Sequence, residues 1–253
     1  MSATLVGTSH GTDDPAGQAA VRALLDGVRA ARPGLDVREA FVDVQQPEVG
    51  DVLAAAVRDA RARAGRPGDA DGPVAVVVPL LLSTGYHVRH DIAQAVTSVN
   101  GSAAAEPLGP HPLLVDILAD RYAAAEAAHG PFGPDDAVVL AAAGSSVPAA
   151  ATAVEEVTSA LAQRLGRPVT PSYGAGAEPR VPDAVAAARA GAPGSARVIV
   201  VSYLLAPGYF LDRVLEAGAD VVTDPVAGPA GAGKPDPRLV QVVLDRYDAA
   251  AGV

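Results

Sequence analysis

Two histidines and one aspartate stand at the ends of short apolar segments, and together their side chains could hold a metal ion. His10 follows an apolar run at residues 3–8, Asp43 ends a second run at 36–43, and His87 comes shortly after a third at 74–82. Imidazole nitrogens with a carboxylate suit Fe(II), Co(II), Ni(II) and Zn(II), whereas Ca²⁺ and Mg²⁺ prefer oxygen ligands alone. A neutral imidazole also accepts a proton near neutral pH. These residues predict a site that binds a divalent transition metal and moves protons.

Structural roles compete with this interpretation. His10 could instead cap a helix that is predicted to begin near Pro15. Asp43 could accept a backbone hydrogen bond in a turn, as aspartates at strand ends often do. Both alternatives stay open at the level of sequence.

A second copy of the same arrangement follows along the chain, without the three reactive side chains. Residues 9–12 align with 142–145, 41–43 with 173–175, and 82–87 with 205–210. In this alignment His10 becomes Ala143, Asp43 becomes Ala175 and His87 becomes Phe210. The framework glycines remain in both copies, so the three lost side chains are expected to form one site that is needed only once.

Short runs of Val, Ile and Leu alternate with longer segments of helical period, the pattern of βα units around a parallel sheet. We expect an α/β protein of two similar domains, each a parallel sheet flanked by helices, related by duplication with a cleft between them. Turn residues at 129–134 predict an N-terminal domain at 1–130 that carries the metal site and a degenerate copy at 131–253. In open α/β sheets ligands bind at the carboxyl ends of the strands, where the three side chains should converge.

Helix-capping residues give finer expectations. Asp91, followed three residues later by Gln94, predicts the start of a helix at 91–98. His111 and Asp236 each precede a proline at the start of a helical segment, so an N-cap role explains both.

Composition excludes several classes of protein. The net charge is −10, Lys234 is the only lysine, and the arginines form no dense run, which argues against nucleic acid as a partner. The absence of cysteine excludes disulfides and thiolate metal sites. No apolar stretch of about 18 residues predicts a membrane span, and no leader pattern is evident, so we expect a cytoplasmic protein.

Three segments, 5–15, 41–43 and 78–88, resemble the class II chelatases of the sirohydrochlorin chelatase family. The histidine-glycine loop at His10 and the Gly85-Tyr86-His87 element occur in the family's order and at its spacing. The resemblance covers both halves of the chain. The two-copy arrangement is similar to the long form found in actinobacterial sulfate-assimilation clusters. The family often has glutamate where Asp43 stands, so either direct metal ligation or contact through water is compatible with this shorter carboxylate.

The resemblance implies a lyase of porphyrin-type metabolism, a sirohydrochlorin ferrochelatase that makes siroheme without ATP or an organic cofactor. The metal, Fe²⁺ or else Co²⁺, is a substrate, handled by His10 and His87 with Asp43. Sirohydrochlorin carries eight carboxylates, for which we expect donors at residues 83–86, at the start of the helix near Pro15 and at Arg89. We expect apolar ring contact from Phe210 and Tyr209. The substrate-binding set is Ser83, Thr84, Gly85, Tyr86, Arg89 and Phe210. Since one chain supplies both copies, a monomer would suffice.

Three alternatives remain. A cobaltochelatase of cobalamin biosynthesis would use the same residues, and so would a metal or tetrapyrrole carrier without turnover. A phosphoryl-transfer enzyme of the histidine phosphatase type also begins with a histidine-glycine loop. That class needs an arginine directly before the histidine, where this chain has Ser9.

Overall fold

Eight strands alternate with eight helices in the residues that the computed structural model describes, which are 2–64, 72–83, 85–194 and 196–253, with backbone alone at 64 and 86–89. The first copy contains β1 Thr4–Ser9, α1 Pro15–Ala31, β2 Val37–Phe41, α2 Val49–Ala64, β3 Ala75–Pro79, α3 Tyr86–Ser98, β4 Ser102–Ala104 and α4 Pro112–His129. The second contains β5 Ala137–Ala142, α5 Pro148–Leu165, β6 Thr170–Tyr173, α6 Val181–Gly191, β7 Val198–Tyr203, α7 Tyr209–Leu215, β8 Val221–Val222 and α8 Pro237–Ala251.

Each copy forms its own four-stranded parallel sheet with the same topology. The strand orders are β2-β1-β3-β4 and β6-β5-β7-β8. In the first sheet β1 is central, with Ser9 beside Phe41 on one side and Thr8 beside Pro79 on the other. The central strands β1 and β3 are buried along their whole length, as continuous apolar runs covered by helices on both faces predict. The expected α/β class with two similar parallel sheets is confirmed.

Helix α1 shows how the sequence pattern positions these layers. Its buried residues Val21, Leu24, Leu25 and Val28 recur at helical spacing and form one apolar stripe. A Cβ at Gly7 in β1 would lie 2.5 Å from Leu25 Cδ2, so the glycine allows the helix to approach the strand closely.

The compact units do not coincide with the two sequence copies. Unit 1 comprises residues 1–108 and 233–253, and unit 2 comprises 109–232. The reason is that α8 packs against α1 and β3, while α4 packs against α5 and β7. The predicted boundary at 130 follows the sequence repeat, whereas the last helix of each copy completes the other copy's unit.

Helix α8 is held in unit 1 by polar as well as apolar contacts. The Tyr247 hydroxyl donates to the Ala3 carbonyl oxygen at 2.6 Å, and the Arg32 guanidinium forms an ion pair with Asp248. At Gly27 a Cβ would lie 2.8 Å from Val240, so α1 and α8 are in close contact. In unit 2, α4 is held on α5 by an Arg164 to Asp116 ion pair of 3.3 Å.

The helix caps confirm two expectations and correct a third. The His111 Nδ1 accepts from the Leu113 amide at 3.2 Å, and Asp236 accepts from the Arg238 amide at 2.9 Å. The prediction that Asp91 starts a helix was wrong, because α3 begins five residues earlier, after Gly85, without a side-chain cap. No glycine or proline interrupts the segment after Gly85, so the helix extends back to it and Asp91 lies inside.

No helix in the described ranges combines the length and the apolar character that crossing a bilayer requires.

Candidate functional site

His10 leaves the carboxyl end of the central strand of the first sheet. Strand β1 is buried up to Ser9, and His10 is the first exposed residue after it. Its neighbours β2 and β3 run parallel to β1, so their own carboxyl ends open at the same edge of the sheet. This is the edge at which open α/β sheets bind ligands, as the sequence predicted for His10.

The loops that carry His10 and Asp43 are bonded directly to each other. The Val42 amide donates to the Ser9 carbonyl oxygen at 3.0 Å, and the Asp43 amide donates to the His10 carbonyl oxygen at 2.9 Å. Gly11 has φ +95°, and a Cβ there would overlap the Asp43 carbonyl oxygen. Only glycine fits this position, and the close approach that it allows brings the two reactive residues onto adjoining backbone.

Two glutamine side chains tie the His10 loop to its surroundings. The Thr12 amide donates to Gln45 Oε1 at 3.0 Å, and Gln18 Nε2 donates to the Thr12 carbonyl oxygen at 2.8 Å. Asp14 accepts from the amides of Ala16 and Gly17 and so caps α1. The cap that was an alternative role for His10 is therefore formed by Asp14.

Asp43 combines an exposed carboxylate with a local turn contact. Its Oδ1 accepts from the Val44 amide at 2.7 Å, the kind of backbone bond that the structural alternative foresaw. An ionised carboxylate can accept about four hydrogen bonds or ligand contacts, so this bond leaves capacity for a metal or a bound water. The structural role and a role in chemistry are compatible at this residue.

Val44 has an unusual backbone conformation. It has φ +59°, and the Gln45 amide donates to the Asp43 carbonyl oxygen at 2.5 Å, which closes a γ-turn around Val44. A left-handed conformation costs a residue with a Cβ about 1–2 kcal/mol, and a β-branched residue adopts it rarely. The side chain is 51% exposed, so burial in the core does not offset this cost. The sequence analysis did not single out Val44 or Gln45, although Gly176 opposite Val44 in the second copy is a signal that could have identified it.

His87 lies at the start of α3, on the segment that follows the carboxyl end of β3. Ser83 and Gly85 are half-buried, and His87 is the second residue of α3. Thr84 and the side chains of Tyr86, His87 and Arg89 lie outside the described residues, so those four site predictions stay predictions. Among the side chains that are described, no three histidines or acidic residues are grouped to hold a metal.

The second copy repeats the backbone of this edge without its reactive groups. The Gly174 amide donates to the Ala142 carbonyl oxygen at 2.8 Å, and the Ala175 amide donates to the Ala143 carbonyl oxygen at 2.8 Å. A Cβ at Gly144 would overlap the Ala175 carbonyl oxygen, as at Gly11. The alignment of the two copies thus holds at the level of single hydrogen bonds.

Phe210, the counterpart of His87, is partly buried within unit 2. A Cβ on Gly174 would lie 2.7 Å from its Cδ1, so its ring fills the space above that glycine. Its neighbour Tyr209 is 67% exposed and meets Phe210 edge-on, with ring centroids 5.5 Å apart. The Arg213 guanidinium lies 5.4 Å from the Tyr209 ring centre. Tyr209 therefore presents more ring surface than Phe210.

One protein family matches the sequence in both of its copies. The family model of CbiX matches residues 4–125 and again residues 137–250. The chain belongs to the CbiX family. The double match also confirms the internal duplication, and with it the resemblance to the sirohydrochlorin chelatases.

Individual relatives of this CbiX protein agree with that assignment. A sirohydrochlorin ferrochelatase of Priestia megaterium is 28% identical over 155 residues, which cover 58% of this chain and 56% of that protein. The chain thus spans about half the length of that curated relative.

Solved structures share the fold over nearly the whole length. SirB from Bacillus subtilis with Fe³⁺ has a TM-score of 0.74 at 19% identity, covering 99% of this chain and 96% of SirB. The sirohydrochlorin chelatase SirB from Bacillus subtilis subspecies spizizenii, in complex with cobalt, has a TM-score of 0.72 at 18% identity, covering 100% and 96%. At these identities the likeness establishes the fold of both CbiX copies.

Proposed function

We propose that this protein inserts a divalent metal into sirohydrochlorin without ATP, and that this metal is Fe²⁺. The observation that supports this most directly is the contrast between the copies. Both keep the same loop backbone at the carboxyl edge of the sheet, and only the first carries His10, Asp43 and His87. The curated relative is named a sirohydrochlorin ferrochelatase, which favours iron.

The reaction requires groups that take protons and release metal. Metallation exchanges two pyrrole N–H protons of the macrocycle for one M²⁺ ion. His10 suits either task, because a neutral imidazole has one free nitrogen that accepts a proton or binds a metal. It lies on an exposed loop, where a metal held by few protein ligands keeps positions open for the macrocycle nitrogens.

In this proposal Asp43 and His87 complete the set. Asp43 contacts the metal directly or through water, with its Oδ1 oriented by the Val44 amide. His87 supplies the second imidazole from the start of α3, which follows the strand beside β1.

The substrate's carboxylates need hydrogen-bond donors. We assign these to backbone amides at Ser83, Thr84, Gly85 and Tyr86 and to the guanidinium of Arg89. We assign the apolar contact with the ring to Phe210, beside which Tyr209 is more exposed.

The glycine-rich segment before α8 and the cap that follows it lack two features of a nucleotide-binding loop, which supports a reaction without nucleotide. Residues 228–234 have the glycine and lysine spacing of a phosphate-binding loop. Pro235 stands where such a loop needs a hydroxyl to bind Mg²⁺, and Asp236 places its carboxylate at the start of α8. A carboxylate at a helix N-terminus repels the phosphate that would bind there.

The second candidate is cobalt insertion, which the cobalt complex of the structural relative favours. Imidazole and carboxylate ligands suit Fe(II) and Co(II) alike, so the ligand set alone does not select the metal.

An anaerobic absorbance assay tests both proposals. The full chain is mixed with sirohydrochlorin and Fe(II) or Co(II), and conversion is compared with the spontaneous rate. We expect acceleration with His10 present and a loss of about 10²-fold or more in His10→Ala, the usual contribution of a proton-transferring group.

His129→Ala is the matched control, because it removes another exposed histidine at the end of α4. Its rate should equal that of the parent protein. The ratio of iron to cobalt rates assigns the metal. Tight macrocycle binding without acceleration would instead indicate a carrier, and equal rates in both variants would remove His10 from the mechanism.

A further inference from the structure

Val44 has a strained backbone, an exposed side chain and a place next to the proposed site. Packing in the core does not explain why a valine stands at this position. Among the described residues other than glycine, Val44 alone has a positive φ. Its side chain is 51% exposed, so it packs little against the core. Strain of this kind persists where the surrounding structure enforces it, and it is concentrated at functional sites.

The second copy shows that the turn itself does not need valine. The Ala177 amide donates to the Ala175 carbonyl oxygen at 2.9 Å, closing the same γ-turn around Gly176, which has φ +70°. Glycine adopts this conformation without the Cβ penalty. At Gly176 a Cβ would lie 2.5 Å from the backbone carbonyl carbon of Ser145, so the second copy has room for glycine alone. The first copy has room for a side chain at the same turn, and Val44 is exposed there.

Two contacts tie the residues on either side of Val44 to the His10 loop. The residue before it, Asp43, donates its amide to the His10 carbonyl oxygen, and the residue after it, Gln45, accepts from Thr12. The Val44 amide itself donates to the Asp43 carboxylate. An exposed isopropyl group thus lies on the loop bonded to His10, one residue after Asp43.

We propose that Val44 is a substrate-contacting residue whose isopropyl group packs on the apolar face of the tetrapyrrole ring while His10 and Asp43 act at its centre. This rests on the proposed function. The macrocycle has a flat apolar face and carboxylates at its rim, so an exposed branched aliphatic group suits the face. A fixed turn holds that group without the loss of side-chain entropy that a long flexible residue would incur on binding.

Val44→Gly separates the two possible roles of the residue. Removing the isopropyl group and the left-handed strain together should leave the melting temperature unchanged or higher. KM for the macrocycle should rise by about tenfold, because the side chain no longer buries apolar area against it. The kcat should stay within about twofold, since no proton-transferring group is lost.

Two further variants make the result interpretable. Val44→Ala keeps a Cβ and the strain but loses both methyl groups, so KM should rise here too, even if the glycine variant folds poorly. Leu215→Ala removes an aliphatic side chain that is 58% exposed in unit 2, and its KM should not change.

Metal-free titration of the macrocycle, followed by absorbance, distinguishes failure of this proposal from failure of the proposed function. If the parent protein binds the macrocycle and metallates it, but Val44→Gly and Val44→Ala bind equally well, Val44 has only a backbone role and the inference is overturned. If the parent protein neither binds nor metallates, the proposed function fails first.

Discussion

The loops at the carboxyl edges of the two sheets have the same backbone hydrogen bonds and carry different side chains. The bond between the loops after the first and second strands is 2.9 Å at Asp43 and 2.8 Å at Ala175, and a glycine with positive φ allows it in both. The first edge adds His10, the Asp43 carboxylate and a strained Val44, where the second has two alanines and Gly176. The comparison teaches that this framework does not depend on the reactive side chains. The strained side chain, like the three reactive ones, is found only in the first copy, while in the second a Cβ at Gly176 would lie 2.5 Å from the Ser145 backbone.

The largest expected effect comes from removing α8, the helix that the second copy contributes to unit 1. Its buried residues are Leu239, Val240, Val242, Val243, Leu244 and Tyr247. Burial of each contributes about 1.5–3 kcal/mol, so their loss together is as large as a typical total stability of about 5–15 kcal/mol. A chain ending at residue 232 should have an unfolded unit 1 and a folded unit 2. Hydrogen exchange followed by mass spectrometry measures this region by region.

The full chain under the same conditions is the control for the truncation. Protection that persists across β1 and β3 in the shortened chain would mean that unit 1 folds without α8. Each copy would then be self-sufficient, contrary to the exchange of helices described above.

Paired glycine substitutions give the next largest effect. Gly11→Ala and Gly144→Ala place a Cβ on the same carbonyl in each copy, at φ +95° and +85°. Each should lower the free energy of unfolding by about 1–3 kcal/mol, from steric overlap and left-handed strain. Only Gly11→Ala should also slow metal insertion, since only the first loop carries His10. Thermal melts and the anaerobic assay read out the two effects separately.

Equal losses of activity in the two glycine variants would contradict the assignment of the reaction to the first copy alone. They would show that the loop of the second copy takes part in the reaction through its backbone.

The smallest effect concerns acid stability, because carboxyl groups with a lowered pKa are distributed unevenly between the two units. Burial alone would raise the pKa of Asp136, but the amides of Arg197 and Gly133 and the Arg197 guanidinium outweigh it and lower that pKa. The Val198 amide, with help from Arg189, lowers the pKa of Asp220. Both lie in unit 2. In unit 1 the Arg38 guanidinium lowers the pKa of Asp36.

A carboxyl group with a lowered folded pKa stabilises the protein above its unfolded pKa. That stabilisation is lost as the pH falls through the folded pKa, so acid below about pH 4 should weaken the fold. Unit 2 has two such groups and should lose amide protection first. Asp136→Asn should cost about 1–2 kcal/mol at pH 7 and reduce this acid sensitivity. Circular dichroism melts from pH 7 to pH 2.5 measure both, and a variant as acid-sensitive as the parent would contradict the assignment.

Local sequence signals predicted the features that depend on local physics. Strand periodicity and the paired glycines located the carboxyl edge and placed His10 and Asp43 on adjoining loops. His111 and Asp236 were predicted as caps because a proline follows each at a helix start.

The features that were missed depend on competition between distant parts of the chain. Both α4 and α8 have apolar residues that fit a sheet face, so periodicity does not say which sheet each helix covers. The start of α3 was assigned to Asp91 because a strong capping residue resembles a boundary even inside a helix. The turn at Val44 contradicts local propensity, and only its bonds to the neighbouring loop enforce it.

The exchange of terminal helices also fixes an order of events during synthesis. Unit 2 is one continuous stretch and can close as soon as residue 232 has emerged from the ribosome. Unit 1, although its strands are made first, must wait for residues 233–253, which follow about 1–4 s later at ordinary translation rates. During that interval the face of α1 and β3 that α8 later covers is open to water and to chaperones. The half that carries the histidine loop is therefore the later one to mature in each newly made chain.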